Sequence, residues 1–345
     1  MKPRPDSSMS RFSAYPVTID MHCHMIVPAA EELARPHRPA EPDVAQRFQS
    51  AQTGRISAAM AAACRTQLLD IGNRIPDMDA AGIDIQVISP APGHYAYWAG
   101  DELGREIART VNDGLADVAA SHPKRVRALG TVPMQSPDLA VEELRRCVRK
   151  LGMAGVEIST NVRGEELSHP RFRPFFHAAQ ELGALLFMHP SGFTHGDRLA
   201  AYHLNNVIGN PLDSTVALAH MIFGGVLDCY PGLKLCVAHG GGMLPSYAGR
   251  FDHAFHARAD CREHCKHPPS YYLRKMYFDT VVFDPDQLEW LVRKYGASQI
   301  LLGTDYPYDM AEPRPLELLQ RAKLTETERA DIAGLNAANL LGIVP

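Results

Sequence analysis

The sequence predicts an α/β fold, a (β/α)8 barrel of the TIM type with a lid-like insertion between strand 1 and strand 2. Three observations lead to this prediction. Short β-rich segments alternate with helical segments from about residue 17 to the end of the chain. With 345 residues the chain is long enough for one large barrel. Apolar residues make up 46% of the sequence, enough to bury a sizeable core.

The eight predicted strands are apolar runs that end in turn residues or polar groups. They are VTIDMH (17–22), IDIQVISP (83–90), VRALGTVP (126–133), GVEIST (155–160), ALLFMHP (184–190), LKLCVAHG (233–240), MYFDTVV (276–282) and QILLGTDYP (299–307). Repeated strand–helix–strand units give a parallel sheet with helical crossovers. Eight of these units over about 330 residues fit a closed barrel better than an open sheet.

The spacing of the strands is even except between the first and the second. We expect a flexible polar N-terminus at 1–14 and one barrel domain at 15–345, with an insertion at about 25–80. The insertion has a proline-rich part and then an alanine-rich helix around 56–70. Because it follows the first strand, it lies on the catalytic face of a barrel, where a lid is one interpretation. A peripheral packing element or a dimer contact is the other.

Composition excludes several classes of function. The net charge is −4 and there is no basic run, which argues against a nucleic-acid partner. The seven cysteines form an odd, scattered set, which suits a reducing cytoplasm better than a disulfide framework. Residues 1–14 lack the apolar core of a signal peptide, and no apolar run approaches the roughly 20 residues of a membrane span. We expect a cytoplasmic protein without a membrane partner.

Polar side chains cluster where the predicted strands end. They are His22 and His24 on the first strand, His189 on the fifth, His239 on the sixth, Asp279 on the seventh and Asp305 on the eighth. Barrel enzymes build their active sites at this end. A single histidine there is commonly a satisfied polar cap, but separate structural roles do not explain the whole set.

Imidazole nitrogens and a carboxylate are ligands that suit Zn²⁺ or another divalent transition metal. An open coordination position would hold a water whose pKa falls to near 7. His239 would lie beside that water as acid or base, and we count Asp305 with it as catalytic. The predicted ligands of one metal per subunit are His22, His24, His189 and Asp305.

Glu157 on the fourth strand is the group that would be needed for a second metal. No lysine accompanies it on that strand, which favours one metal rather than two, although Glu157 could bridge if it points inward. The glycines of AHGGG (238–242) allow either close approach of a ligand to the backbone or a tight turn.

The segments DMHCH, FMHP, AHGGG and LLGTDYP, in this order, resemble the amidohydrolase superfamily and within it the amidohydrolase-2 branch. The resemblance runs from about Thr18 to Leu340. It implies a (β/α)8 barrel, one zinc, and cleavage of a C–C bond with release of CO₂. It also implies the same four metal ligands and a histidine acid/base at His239.

The resemblance further implies two arginines that hold the substrate's carboxylates, one lent by a neighbouring subunit. The lent arginine matches Arg250, which implies a homodimer, and Arg258 is a second candidate. The other family position falls on Ala62, so Arg65 is the candidate replacement. Ser191 also stands where the family has a tryptophan. These departures predict a different acid as substrate, because alanine cannot replace a bidentate arginine.

Three further features carry alternatives. His94 lies in SPAPGHYAYWAG (89–100), which could form a substrate-binding aromatic wall or ordinary packing. His195 and His203 follow the fifth strand and could line the pocket mouth or a solvated loop. The residues Cys261, His264, Cys265 and His267 could hold a structural zinc or form a helix end with buried thiols, since they lack the CxxC pairing of common zinc modules.

The function expected from these observations is a metal-dependent, non-oxidative decarboxylase of a small aromatic or ring-opened unsaturated carboxylic acid. A hydrolase or hydratase that uses a zinc-bound hydroxide on a lactone, amide or unsaturated acid is the alternative. A binding or sensor protein is a third possibility.

Overall fold

The computed structural model describes residues 15–41 and 43–344, so the predicted flexible segment 1–14 lies outside the described residues. All eight predicted strands are present within that part of the chain. They are β1 (Ile19–Met25), β2 (Ile85–Pro90), β3 (Val126–Ala128), β4 (Gly155–Ile158), β5 (Leu185–Met188), β6 (Lys234–Val237), β7 (Tyr277–Asp279) and β8 (Ile300–Leu301). A small antiparallel hairpin of Asn161–Val162 and Glu165–Glu166 follows β4.

Helices connect the strands. The α-helices are Pro28–Ala34, Val44–Arg47, Ala51–Ala63, Arg65–Leu69, Ile71–Ala81, Asp101–Ser121, Pro137–Arg149, Arg173–Leu182, Asn210–Phe223, Val226–Cys229, Leu244–Ala257, Pro269–Leu273, Pro285–Tyr295, Pro315–Arg321, Glu326–Ala330 and Asn336–Leu341. Short 3₁₀ segments are Arg35–His37, Pro92–His94, Pro170–Phe172, Asp197–Leu199, Asp260–Arg262 and Ala297–Gln299, and π-helical turns are Asn205–Gly209 and Asp331–Leu335.

The parallel strands follow one another in chain order. One sheet has the order β1–β2–β3 and a second has the order β8–β7–β6–β5–β4. Single parallel bridges join the two sheets, Cys23 opposite Tyr306 and Gly130 opposite Val156. The fold is therefore α/β with parallel sheets whose strands all end on one side. Polar residues that follow these strands come together there.

β1 supplies both core and site. It is buried along its whole length, and Ile19 and Met21 pack in an apolar cluster with Phe187 and Leu301. The pairing of β1 with β2 shifts register between Asp20 and Cys23. A bulge of this kind bends the strand and re-aims a side chain, and bulges are frequent beside active sites.

The insertion between β1 and β2 is helical, as predicted, but its helices lie elsewhere than expected. The predicted helix around 56–70 is two helices, Ala51–Ala63 and Arg65–Leu69, separated at Cys64. Ser50 begins the first, its hydroxyl accepting a hydrogen bond from Thr53 N. The sequence placed the start of this helix too late because the alanine run hides the N-cap at Ser50.

All seven cysteines are free thiols. Within the described residues, no helix combines the length and the apolar character that a membrane span requires.

Gly155 tests the pairing of β4 with β5. A Cβ atom at this position would lie only 1.8 Å from Leu185 O. This is a backbone atom of the paired strand and cannot move aside as a flexible side chain could. We expect Gly155→Ala to lower the free energy of unfolding by about 3 kcal/mol, as overpacking of a tight core does. Gly249→Ala is the control, because a Cβ there meets nothing within 4 Å and the site is helical. It should stabilise the protein by up to about 1 kcal/mol. Equal stability of both variants in chemical denaturation would contradict the strand pairing.

Candidate metal centre and active site

Four histidines and an aspartate meet at the carboxyl ends of β1, β5, β6 and β8. His22 Nε2 lies 3.2 Å from His24 Nε2 and 3.3 Å from Asp305 Oδ1. His24 Nε2 lies 3.2 Å from the same carboxylate oxygen, and His239 Nε2 lies 3.5 Å from Asp305 Oδ2. The ring of His189 is centred 5.0 Å from His22 and 4.7 Å from His24. The structure therefore brings together these five of the six strand-end residues named from the sequence, and the sixth, Asp279, lies beside them.

Two of these side chains are aimed by an unusual backbone. His239 has φ 57° and Asp305 has φ 64°, a left-handed conformation that costs free energy for residues other than glycine. Hydrogen bonds hold both in place: His239 N donates to Asp279 Oδ2 (3.0 Å), and Asp305 N donates to His22 O (2.7 Å). Non-glycine residues in this conformation occur preferentially at functional sites.

The glycines that follow His239 pack tightly. A Cβ at Gly241 would lie 2.6 Å from the Phe278 ring, and one at Gly242 would lie 2.4 Å from Pro211 O. Both have positive φ, 82° and 70°. Of the two interpretations of AHGGG, the structure therefore supports the tight turn into the helix Leu244–Ala257.

Asp279 orients the site from beneath. Its Oδ2 lies 2.6 Å from His22 Nδ1, while Gly240 N donates to its Oδ1 (2.8 Å). A carboxylate on the far nitrogen fixes the tautomer and ring orientation of a metal-binding histidine. Asp279, one of the polar strand-end residues of the sequence, therefore contacts both His22 and the backbone of His239.

Asp20 has a supporting role on the same strand. Its Oδ2 accepts from Thr304 Oγ1 (2.7 Å) and Gln86 Nε2 (3.1 Å), and its Oδ1 accepts from Thr304 N (3.1 Å). Asp20 thus ties β1 to β2 and to the residues after β8, with its carboxylate fully buried.

Glu157 is buried behind His24. Its Oε1 accepts from Tyr95 OH (2.5 Å), and its Oε2 lies 3.9 Å from His24 Nδ1 without a hydrogen-bond partner among the described residues. This position leaves Glu157 outside the group of close ligand atoms formed by His22, His189, His239 and Asp305.

Charge compensation dominates the site. Burial alone would raise the pKa of Asp305, but His22 and the other histidines outweigh burial and hold that pKa well below its usual range. Burial would likewise lower the pKa of His22, but Asp305 and Asp279 raise it well above its usual value. Burial lowers the pKa of His189, and the nearby His24 and His22 act in the same direction.

Several buried atoms of the site have no hydrogen-bond partner among the described residues: both ring nitrogens of His189, Nδ1 of His239 and Oδ1 of Asp305. Leaving such atoms unpaired is costly unless something binds them. Ligand atoms of His22, His189, His239 and Asp305 all lie within 4.8 Å of one another. Imidazole and carboxylate donors at this spacing fit a divalent transition metal.

A cavity of about 560 Å³ opens onto His189 and Asp305. One wall is the helix Ala51–Ala63, through Thr53, Ser57 and Met60 among others. Tyr308 forms part of another wall, its ring centred 5.4 Å from that of His24. Sequence reasoning did not single out Tyr308 as a site residue, although its place three residues after Asp305 was a usable signal.

The predicted substrate-binding arginines are not in this cavity. Arg65 NH2 lies 3.6 Å from Glu31 with its side chain 56% exposed, and Arg258 forms two hydrogen bonds to Asp260 at the surface. Arg250 is exposed on the helix Leu244–Ala257. Only another subunit could bring Arg250 to such a cavity.

His94 is also placed away from the cavity. Its Nε2 accepts a hydrogen bond from Val27 N (3.0 Å), and the ring is buried. Tyr95 and Tyr97 stack at 5.6 Å and hydrogen-bond to Glu157 and Ser159, so this segment forms packing and not an aromatic wall. Of the two later histidines, His203 lines the cavity and His195 does not.

The predicted cysteine–histidine cluster is not assembled as a metal site. Cys265 Sγ donates to Cys261 O (3.3 Å), while the His264 side chain is exposed. Among the described residues, the one group of close metal-ligating atoms is at the strand ends. The alternative of a helix end with thiols agrees with this placement.

Comparison with known proteins agrees with the geometry. The amidohydrolase family matches residues 19–343. The chain belongs to this family. It is 38% identical over 274 residues to 2-amino-3-carboxymuconate-6-semialdehyde decarboxylase of Dictyostelium discoideum, covering 79% of this chain and 76% of that protein. It is 30% identical to γ-resorcylate decarboxylase of Rhodococcus jostii, covering 80% and 89%.

A solved structure resembles this fold closely. Dihydroxybenzoic acid decarboxylase of Polaromonas sp. JS666, with bound manganese and the inhibitor 2-nitroresorcinol, superposes with a TM-score of 0.81 at 25% identity. The match covers 94% of this chain and 97% of that one. Decarboxylases of the family therefore bind a divalent metal, which is manganese in that structure. The sequence predicted zinc or another divalent transition metal for this chain.

Asp279 provides a test of the support beneath the metal centre. We expect Asp279→Asn to lower the affinity for a divalent metal by about 10–100-fold, because His22 loses the carboxylate that orients it. The measurement is metal titration of the metal-free protein. Asp286→Asn, on the exposed start of the helix Pro285–Tyr295, is the matched control and should bind normally. Unchanged affinity in Asp279→Asn would show that Asp279 does not support the centre.

Because His94 is buried, we expect the free energy of unfolding to fall in acid. Burial lowers the pKa of His94 to about 4 from an ordinary 6.5. The unfolded chain therefore binds a proton more readily, so this contribution to stability is complete above about pH 6.5 and is lost as the pH falls toward 4. It is worth up to about 3 kcal/mol. His94→Gln, whose amide oxygen can still accept from Val27 N, should flatten the loss of unfolding free energy over this interval. Parallel pH profiles of the two proteins would show that another group is responsible.

Proposed function

We propose that this protein is a metal-dependent, non-oxidative decarboxylase of an aromatic or ring-opened unsaturated carboxylic acid, and serves in aromatic catabolism. The observation that carries the proposal is the group of buried, unpaired imidazole and carboxylate atoms of His189, His239 and Asp305, of which His189 and Asp305 line the cavity. The names of the relatives support the same reaction class, since each of the three is a decarboxylase.

We propose that His22, His24, His189 and Asp305 hold one divalent transition metal per subunit. Zinc suits this donor set, and manganese in the related structure supports a wider choice. His239 belongs to the same group of close atoms, so its role as ligand or as acid/base is what experiment must separate. A cation bound here supplies stabilisation of the negative charge that develops on substrate oxygens.

The chain's own residues account for proton transfer. In the proposed reaction, His239 donates a proton to the substrate carbon that carries the carboxylate. The C–C bond to that carboxylate then breaks, its electron pair restores the conjugation of the substrate, and CO₂ leaves. Asp305 Oδ2 lies 3.5 Å from His239 Nε2, next to the nitrogen that would carry this proton. Asp279 holds the His239 backbone in position.

The second proposal concerns the domain that carries this site. We propose that residues 15–345 form one domain, with the strands closed into a (β/α)8 barrel and the insertion acting as a lid. The bridges at Cys23 and Gly130 support closure, and the cavity wall formed by Ala51–Ala63 supports the lid.

We also propose a homodimer and a reducing, cytoplasmic environment. Tyr247 and Arg250 are exposed on one helix, which suits a contact surface, and Tyr247 is 61% exposed. The free thiols support the compartment.

His239→Gln tests the assignment of roles. We expect release of CO₂ to fall by about 10²–10⁴-fold because a positioned acid is lost, with one metal still bound per chain. His177→Gln, an exposed histidine on the helix Arg173–Leu182, is the control and should leave both quantities unchanged. Loss of the metal together with activity would make His239 a ligand instead. Near-normal turnover with metal bound would refute a role in proton transfer.

A further inference from the structure

The acidic side chains that line the cavity are not matched there by lysine or arginine among the described residues. Its lining includes the carboxylates Asp43 and Asp309 in addition to Asp305. Among the described residues it includes no lysine or arginine. Arg47 and Arg38 are not part of the lining: Arg47 contacts Glu41 at 2.9 Å, and burial raises the pKa of Asp43 while both arginines lower it to a smaller extent. Asp309 is therefore the less compensated of the two carboxylates. Nothing in the described lining offers the bidentate cation that usually binds a free carboxylate.

Neutral polar groups are available instead. Gln46, Ser57, Ser191 and Asn206 line the cavity, and their side chains make no hydrogen bond to other described residues. Other amides of the lining are occupied, as in Asn210, whose Oδ1 accepts from Gly192 N (2.8 Å). The free groups can donate to or accept from a hydroxyl, amide or carbonyl.

We propose that the cavity selects monocarboxylic acids whose far end carries neutral hydrogen-bonding groups, and that Asp309, assisted by Asp43, disfavours a second carboxylate. The proposal rests on the proposed function, which places the reacting carboxylate at the metal centre. Any second carboxylate would then extend from Asp305 and Tyr308 toward this acidic part of the wall. Like charges placed opposite one another suppress the wrong ligand.

The positions of the acidic residues support this role. Asp309 directly follows Tyr308, and both lie in the cavity lining. Asp43 lies on another segment of the lining, directly before the helix Val44–Arg47. Exposure of both side chains screens their charge in part, so the discrimination is set by their sum and not by either residue alone.

Two probes of matched size test the effect of a second carboxylate on binding. The metal-loaded protein is titrated at about pH 8, where imidazoles of ordinary pKa are neutral, with 5-carboxysalicylate and 5-carbamoylsalicylate. These acids differ only in a second carboxylate against a neutral amide. We expect the amide to bind at least about tenfold more tightly. In the double variant Asp43→Asn with Asp309→Asn, the ratio should fall to within about threefold.

Two controls make the outcome decisive. Asp286→Asn removes a distant exposed carboxylate and should leave the ratio unchanged. Arg250→Ala removes a cation that a partner subunit could supply. Equal or tighter binding of 5-carboxysalicylate than of 5-carbamoylsalicylate overturns the proposal. Loss of 5-carboxysalicylate binding in Arg250→Ala, or an unchanged ratio in the double variant, overturns it as well. So does a failure of both probes to bind. A failed decarboxylase assignment appears differently, as bound acids that release no CO₂, and leaves the binding ratio intact.

Discussion

Asp279 makes the interactions on which the rest of the site depends. Its carboxylate contacts His22 Nδ1 at 2.6 Å and accepts backbone hydrogen bonds from His239 and Gly240. It therefore joins β1, β7 and the turn after β6 at one fully buried point. A buried carboxylate is tolerated only when charge and hydrogen bonds compensate for lost hydration. The histidines and this aspartate stabilise one another, and neither set could be buried alone.

The same compensation explains how strained residues persist. His239 and Asp305 adopt positive φ, and each is held by a hydrogen bond to another member of the group. The site is thus over-determined by contacts between elements far apart in the sequence. Such pre-organisation favours metal binding, because the ligands need little rearrangement when the ion arrives. The unpaired atoms of His189 and Asp305 are the part that the protein itself does not satisfy.

Much of this was predictable from the sequence, for a definite reason. Strand ends are marked by apolar runs that stop at a polar residue, so His22, His189 and Asp305 could be assigned to one edge. Contacts decided by long-range packing could not be predicted in the same way. His94 was assigned to the substrate, but its ring is committed to Val27 N, 67 residues away in the chain. Arg65 and Arg258 were assigned by position along the chain. Arg258 pairs with Asp260 two residues on, whereas Arg65 lies 3.6 Å from Glu31, which is distant in the sequence. The bulge in β1 leaves no trace in the residue pattern.

Binding of one divalent metal by the strand-end cluster underlies every role proposed for these residues. The most direct measurement is elemental analysis of the purified protein beside Asp305→Asn, which keeps the side-chain shape but removes the anionic ligand. We expect a metal content of about one divalent transition metal per chain in the unaltered protein and a small fraction of that in the variant. A protein without stoichiometric metal, even after incubation with zinc or manganese, would contradict it.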